Sequence, residues 1–135
     1  MEYAIGVGLA LVAGLFLSWV GLEKDRAAYP VILIVIAILY QLFAVLGGSA
    51  AALRSELLPV AFIGLSVLGF RTSLWWVVAG LIGHGVYDIL HPHLFINPGV
   101  PVWWPMFCMS YDVVAGLFLA WRLTRRTPAP VQMAA

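Results

Sequence analysis

From Tyr3 to Leu22 the chain runs without a single charged side chain, and apolar runs of similar length recur until Arg122. A helix needs about 20 such residues to cross the hydrocarbon core of a bilayer, so these runs dictate a polytopic, all-α membrane protein. Composition agrees: 64% of the 135 residues are apolar, only 10% are charged, and the mean hydropathy is +1.03. Soluble domains of this length do not have that balance.

Five transmembrane helices can be cut from the runs: Tyr3–Leu22, Pro30–Leu46, Ala50–Phe70, Leu74–Leu90 and Trp103–Arg122. Together they predict one five-helix domain over residues 1–126 and a disordered tail over 127–135. In the third segment the purely apolar part, Leu57 to Phe70, is too short to span, so it extends back through AALRSE and takes in Arg54 and Glu56. EKDRAAYP, GGS, RTS and HPHLFINPGVP punctuate the helices, and Pro30 suits a first helical position. The first helix does not read as a cleaved signal peptide, because Glu2 stands in place of a basic start and the apolar run is too long. Its Gly6, Ala10 and Gly14 form a small-residue stripe suited to close helix packing, within the chain or in a homo-oligomer.

Orientation follows from the basic residues. With five spans, Lys24, Arg26, Arg71, Arg122, Arg125 and Arg126 fall on one side and only Arg54 on the other. The positive-inside rule then places the N-terminus outside and the C-terminus in the cytoplasm, in a multi-pass protein of the plasma (inner) membrane. Trp19, Trp75, Trp76 and Trp121 fall at inner helix ends and Trp103 and Trp104 at outer ones, as an aromatic belt requires. A net charge of +1 offers no footprint for nucleic acid.

Against this apolar background, ionisable residues inside the spans stand out, because each carries an insertion penalty of about 3 kcal/mol. His84 lies about 10 Å below the outer end of its helix and Asp88 about 3 Å; on the next helix Cys108 lies about 8 Å and Asp112 about 14 Å down. Gln41, Arg54 and Glu56 come out in the same outer half. His84, Asp88 and His91 follow one another at i, i+4 and i+7 and share a face, as do Cys108 and Asp112 at i, i+4. The reading is a pocket lined by His84, Asp88, His91 or His93, Cys108 and Asp112.

Imidazoles and carboxylates at helical spacing are ligands for a divalent transition metal such as zinc or iron, and three protein ligands leave a position for water or substrate. A metal would also offset the burial of two carboxylates. Blander readings stand beside this one. His84 and Asp88 can form a hydrogen-bonded clasp, His93 beyond Pro92 can be a solvated loop residue, and Cys108 can be a small buried hydrophobe. Arg54 and Glu56 can be a rim ion pair, and Tyr87 and Tyr111, turned about 100° from the aspartates that follow them, read as packing residues.

The stretch GHGVYDILHPHLFINPGVPVWWPMFCMSYDVVAG resembles a family of small bacterial integral-membrane proteins known only as a domain of unknown function. Its pattern is a His-x3-Asp-x2-His helix, a proline-containing loop and a Cys-x3-Asp helix, matched here by His84, Asp88, His91, Cys108 and Asp112. The family tends to have two adjacent histidines, whereas Pro92 separates His91 from His93 here. The resemblance implies a polar site and no particular reaction.

Three classes of function fit. The first is a metal-dependent membrane enzyme, a hydrolase or oxidoreductase acting on a small lipid-soluble substrate, with His84, Asp88 and His91 on the metal and Asp112 as a ligand or general base. The second is a non-catalytic subunit or a binder of haem or quinone, although there is no Cys-x-x-Cys-His sequence. The third is a proton or metal transporter, against which stands the aliphatic inner half of the bundle.

Overall fold

A computed structural model describes residues 1–125; the expected tail over 127–135 lies outside them, as does Arg126. The described chain is all-helical: α1 (Glu2–Val20), α2 (Ala28–Leu46), α3 (Ala50–Ser55), α4 (Val60–Arg71), α5 (Trp75–Leu94) and α6 (Trp104–Arg125), with a 3₁₀ turn at Leu22–Asp25. Three helices, α1, α2 and α6, are long and apolar enough to cross a membrane. Their exposed surface carries large hydrophobic side chains such as Val12, Leu15, Val31 and Leu117, as lipid-facing helices do.

α5 sits at the centre, packed on α6, α4 and α2, while α1 lies on the far face of α6. Leu33, Ala37, Val77, Leu81 and Leu119 form the heart of the core and are essentially inaccessible. The Gly6, Ala10, Gly14 stripe faces α6 of the same chain, where a Cβ on Gly6 would come within 2.1 Å of Ser110 Oγ and 2.4 Å of the Phe107 carbonyl. Its smallness serves an internal contact, and no part of it is left to join a second copy.

The expected third helix is two helices. Pro59 has no N–H, and beyond it the chain tightens into 3₁₀-type bonds, Val60 N–H to Leu57 O at 3.1 Å and Ala61 N–H to Leu58 O at 3.0 Å. The Glu56 carbonyl thereby loses its helical donor, and the Gln41 side-chain amide from α2 donates to it instead. Arg54 is exposed and Glu56 fully buried, so the two do not form a rim pair. α5, in turn, continues four residues past the expected stop at Leu90, carrying Pro92 in its last turn, where only one helical bond is forfeited. α2 starts at Ala28, two residues before Pro30, which still falls in the first turn where an N–H is not needed.

The two ends of the bundle are tied differently. At one end, Glu23 accepts from Ser18 Oγ at 2.8 Å and from the Arg122 guanidinium, while Arg26 donates to the Thr72 carbonyl at 3.0 Å. At the other, the loop between α5 and α6 folds back onto the end of α2. A Cβ on Gly99 would stand 1.8 Å from the Phe43 carbonyl, a contact only glycine permits.

Candidate metal centre

α5 and α6 each contribute two side chains one turn apart to a single buried group: His84 and Asp88, and Cys108 and Asp112. Small residues let the two helices approach, Gly85 against Val113 and Gly116 against Ile82. One ligand-capable atom from each of the four lies within 4.8 Å of the others. His84, Asp88 and Asp112 are fully buried and Cys108 is nearly so.

His84 Nδ1 faces both carboxylates, at 2.8 Å from Asp112 Oδ2 and 3.5 Å from Asp88 Oδ2. The Cys108 thiol donates to Asp112 Oδ2 at 3.9 Å. Tetrahedral coordination at ordinary zinc–nitrogen, zinc–oxygen and zinc–sulfur lengths places neighbouring ligand atoms about 3.3–3.8 Å apart, a spacing these contacts bracket. Asp88 Oδ2 makes no hydrogen bond, nor do Asp112 Oδ1 and His84 Nε2, although all three are buried. Asp88 is held from behind by Tyr40, whose hydroxyl donates to Oδ1 at 2.7 Å, the kind of outer partner that orients a metal-ligating carboxylate. The donor set of one nitrogen, one thiol sulfur and two carboxylates suits a divalent transition metal.

The other two expected ligands lie elsewhere. His91 shares the buried face of α5, but a rise of about 10 Å separates it from His84. Its Nε2 meets Glu56 Oε1 at 2.6 Å instead. His93 is exposed and outside both groups. Around Glu56 a second network closes: Tyr87 donates to Oε2 at 2.6 Å, and Asn97 Nδ2 to Oε1 at 3.1 Å and to the Tyr40 carbonyl at 2.9 Å. Both Glu56 side-chain oxygens are thus fully engaged. The Tyr40 ring stacks on His91 with centroids 4.0 Å apart, so one tyrosine joins the two networks.

Sequence reasoning missed Tyr40, Asn97 and the role of Tyr87. The available signal was a tyrosine hydroxyl in the middle of an apolar helix, which needs a partner when buried. Tyr111 is half-buried and lines an apolar groove of about 320 Å³ between α1, α2 and α6, which reaches Cys108 at the edge of the centre.

No family model matches the chain, and neither curated proteins nor solved structures yield a match. The resemblance drawn from the His-x3-Asp-x2-His and Cys-x3-Asp helices rests on those residues alone.

Proposed function

We propose that this chain is a multi-pass protein of the plasma membrane in which His84, Asp88, Cys108 and Asp112 hold a divalent transition metal, zinc or iron, and that the centre serves a hydrolase or oxidoreductase acting on a small lipid-soluble substrate. The observation that carries it is the buried donor set itself: four ligand-capable atoms within 4.8 Å, one of them, Asp88 Oδ2, without any hydrogen bond. Buried carboxylates left in that state are costly, and a bound cation relieves them.

In this reading α5 and the α3–α4 pair also cross the bilayer, giving five passes. α5 can carry His84, Asp88 and His91 within a span because these side chains are buried against other helices. The break at Pro59 is tolerated because protein groups cover the freed carbonyl. Lys24, Arg26, Arg71, Arg122 and Arg125 would share the cytoplasmic end, with the N-terminus outside.

A metal held here supplies a Lewis acid for a substrate oxygen. Tyr40 would fix the Asp88 carboxylate from outside the donor set, His84 Nδ1 and Asp112 Oδ2 would turn to the metal in place of their mutual contact, and the uncommitted Asp112 Oδ1 is the oxygen positioned to take a proton. Below the centre the buried residues of α5 and α6 are Val77, Val78, Leu81, Ala115 and Leu119, which offer an ion no onward path and disfavour translocation.

Elemental analysis of the detergent-purified protein beside His84→Ala and Asp112→Ala tests the centre. A near-stoichiometric transition metal in the parent, lost in both variants while they stay monodisperse, is the expected result. A parent free of transition metal refutes it. Turnover of small lipid-soluble esters and alcohols, expected to vanish in both variants, tests the enzyme.

A further inference from the structure

The two carboxylates of the buried group are restrained differently. At Asp88 the Tyr40 hydroxyl donates to Oδ1 at 2.7 Å from outside the group, while Oδ2 has no hydrogen bond and lies 3.5 Å from His84 Nδ1. At Asp112 it is the inward oxygen, Oδ2, that meets His84 and Cys108, and Oδ1 is not hydrogen-bonded. Asp88 is thus the carboxylate whose second oxygen the protein itself occupies.

Tyr40 has little room to give way. It is fully buried, its ring stacks on His91 at 4.0 Å and stands edge-on to Tyr87 at 5.5 Å, and its carbonyl accepts from Asn97 at 2.9 Å. If the Asp88 carboxylate turned to point both oxygens into the group, the Tyr40 hydroxyl would lose its acceptor in a dry interior. Stranding a buried hydroxyl is costly, so the one-oxygen arrangement is the stable one.

Whether a carboxylate gives a cation one oxygen or two sets the number of donors around it. Zinc is satisfied by about four donors of mixed type, whereas manganese and magnesium seek about six, mostly oxygens. With Asp88 held to Oδ2, the residues of the group cannot complete an octahedral set, even with both Asp112 oxygens turned inward.

We infer that Tyr40 selects the metal: by occupying Asp88 Oδ1 it keeps that carboxylate to a single oxygen, so that the centre takes a tetrahedral ion such as zinc and discriminates against octahedral manganese and magnesium. The inference rests on the metal-centre reading above. Tyr40 is a positioning residue in it, acting through Asp88.

The test uses the full chain, purified in detergent, stripped of metal and loaded with cobalt(II), whose visible bands are intense in a tetrahedral site and weak at higher coordination. The parent should show those bands and a near-ultraviolet thiolate-to-cobalt band that Cys108→Ser abolishes. Tyr40→Phe keeps the buried ring and frees Oδ1, so the thiolate band should persist while the visible bands weaken severalfold. The zinc-to-manganese ratio taken up from an equimolar mixture should fall by about tenfold or more, the usual scale for losing an outer partner of a metal ligand. Tyr87→Phe removes a buried hydroxyl that donates to Glu56 instead, and should move neither readout. In the parent itself, infrared difference spectra on zinc addition, taken with isotope-labelled aspartate, should contain the wide carboxylate splitting of one-oxygen binding; only narrow, chelating splittings overturn the inference without any variant. So does a Tyr40→Phe protein with the parent's visible bands and metal ratio, or a Tyr87→Phe protein that shifts both as far. A thiolate band that is present but accompanied by any of these results leaves the metal centre standing and refutes the role of Tyr40 alone. A parent with no thiolate band refutes the centre, and the inference with it.

Discussion

Replacing Glu56 by alanine isolates what the closed network contributes. The side chain is fully buried at the break between α3 and α4 and accepts from Tyr87, His91 and Asn97 at 2.6, 2.6 and 3.1 Å. Asn97 keeps the Tyr40 carbonyl for one of its N–H groups, and Gln41 keeps the Glu56 backbone oxygen, so Tyr87, His91 and the second Asn97 N–H lose their acceptor, the first two completely. Each stranded buried donor costs about 1–3 kcal/mol by soluble-protein measures, but interhelical bonds in membranes average only about 0.6 kcal/mol because the unfolded state in lipid finds other partners. The expected loss is therefore about 2–4 kcal/mol, read from SDS unfolding titrations in mixed micelles. Glu56→Gln retains one acceptor oxygen and should lose about half as much. The double variant Glu56→Ala/Tyr87→Phe should lose about 1 kcal/mol less than the two single losses combined, because Tyr87→Phe removes a donor that is otherwise stranded. Metal content should not change in any of the three. A Glu56→Ala protein within about 0.5 kcal/mol of the parent would refute this account of the network.

Gly6→Ala should destabilise the α1–α6 contact by about 1–3 kcal/mol in the same titration, whereas Gly8→Ala, where a Cβ meets nothing within 4 Å, should be neutral or slightly stabilising. Gly99→Ala drives a methyl into the Phe43 carbonyl and should expose the α5–α6 loop to added protease while the helices stay protected. Arg122→Ala removes the guanidinium from a largely buried Glu23 and should lose about 1–3 kcal/mol, between the values for exposed and fully buried pairs. Cys108, only 3% exposed, should resist maleimide in the native protein and react on SDS unfolding; rapid native labelling would place it outside the buried group.

Hydropathy alone makes the helical architecture legible, because apolar runs of this length pair their backbone groups within themselves by folding as helices. The third segment is where that argument misled: demanding a full span hid Pro59, whose missing N–H splits the segment and leaves the Glu56 carbonyl to Gln41. At the site, i, i+4 spacing correctly brought His84 with Asp88 and Cys108 with Asp112. The same reasoning overreached at His91, since sharing a face says nothing about distance along it, and about 10 Å of rise exceeds the reach of one ion. Asn97 was beyond sequence reasoning, for its partners Tyr40 and Glu56 lie 57 and 41 residues away and nothing in a proline-rich loop announces them.

The contrast between the two buried networks is what separates architecture from a candidate site. Both sit among the same helices, and Tyr40 touches both. Around Glu56 each side-chain oxygen has a donor, and the result ties α2, the α3–α4 break, α5 and the following loop into one unit. Around His84 the accounting does not close: two carboxylates and a thiol crowd one imidazole, and Asp88 Oδ2, Asp112 Oδ1 and His84 Nε2 remain without hydrogen bonds in a fully buried setting. A purely structural clasp gains nothing from that surplus of acceptors, and an apolar replacement would pack as well at lower cost. The surplus is what a cation needs. If the centre is a clasp instead, a double variant such as Asp88→Asn/Asp112→Asn, which removes negative charge while keeping shape, should be at least as stable as the parent; if it holds a metal, the same variant should lose both the metal and the stability that binding confers.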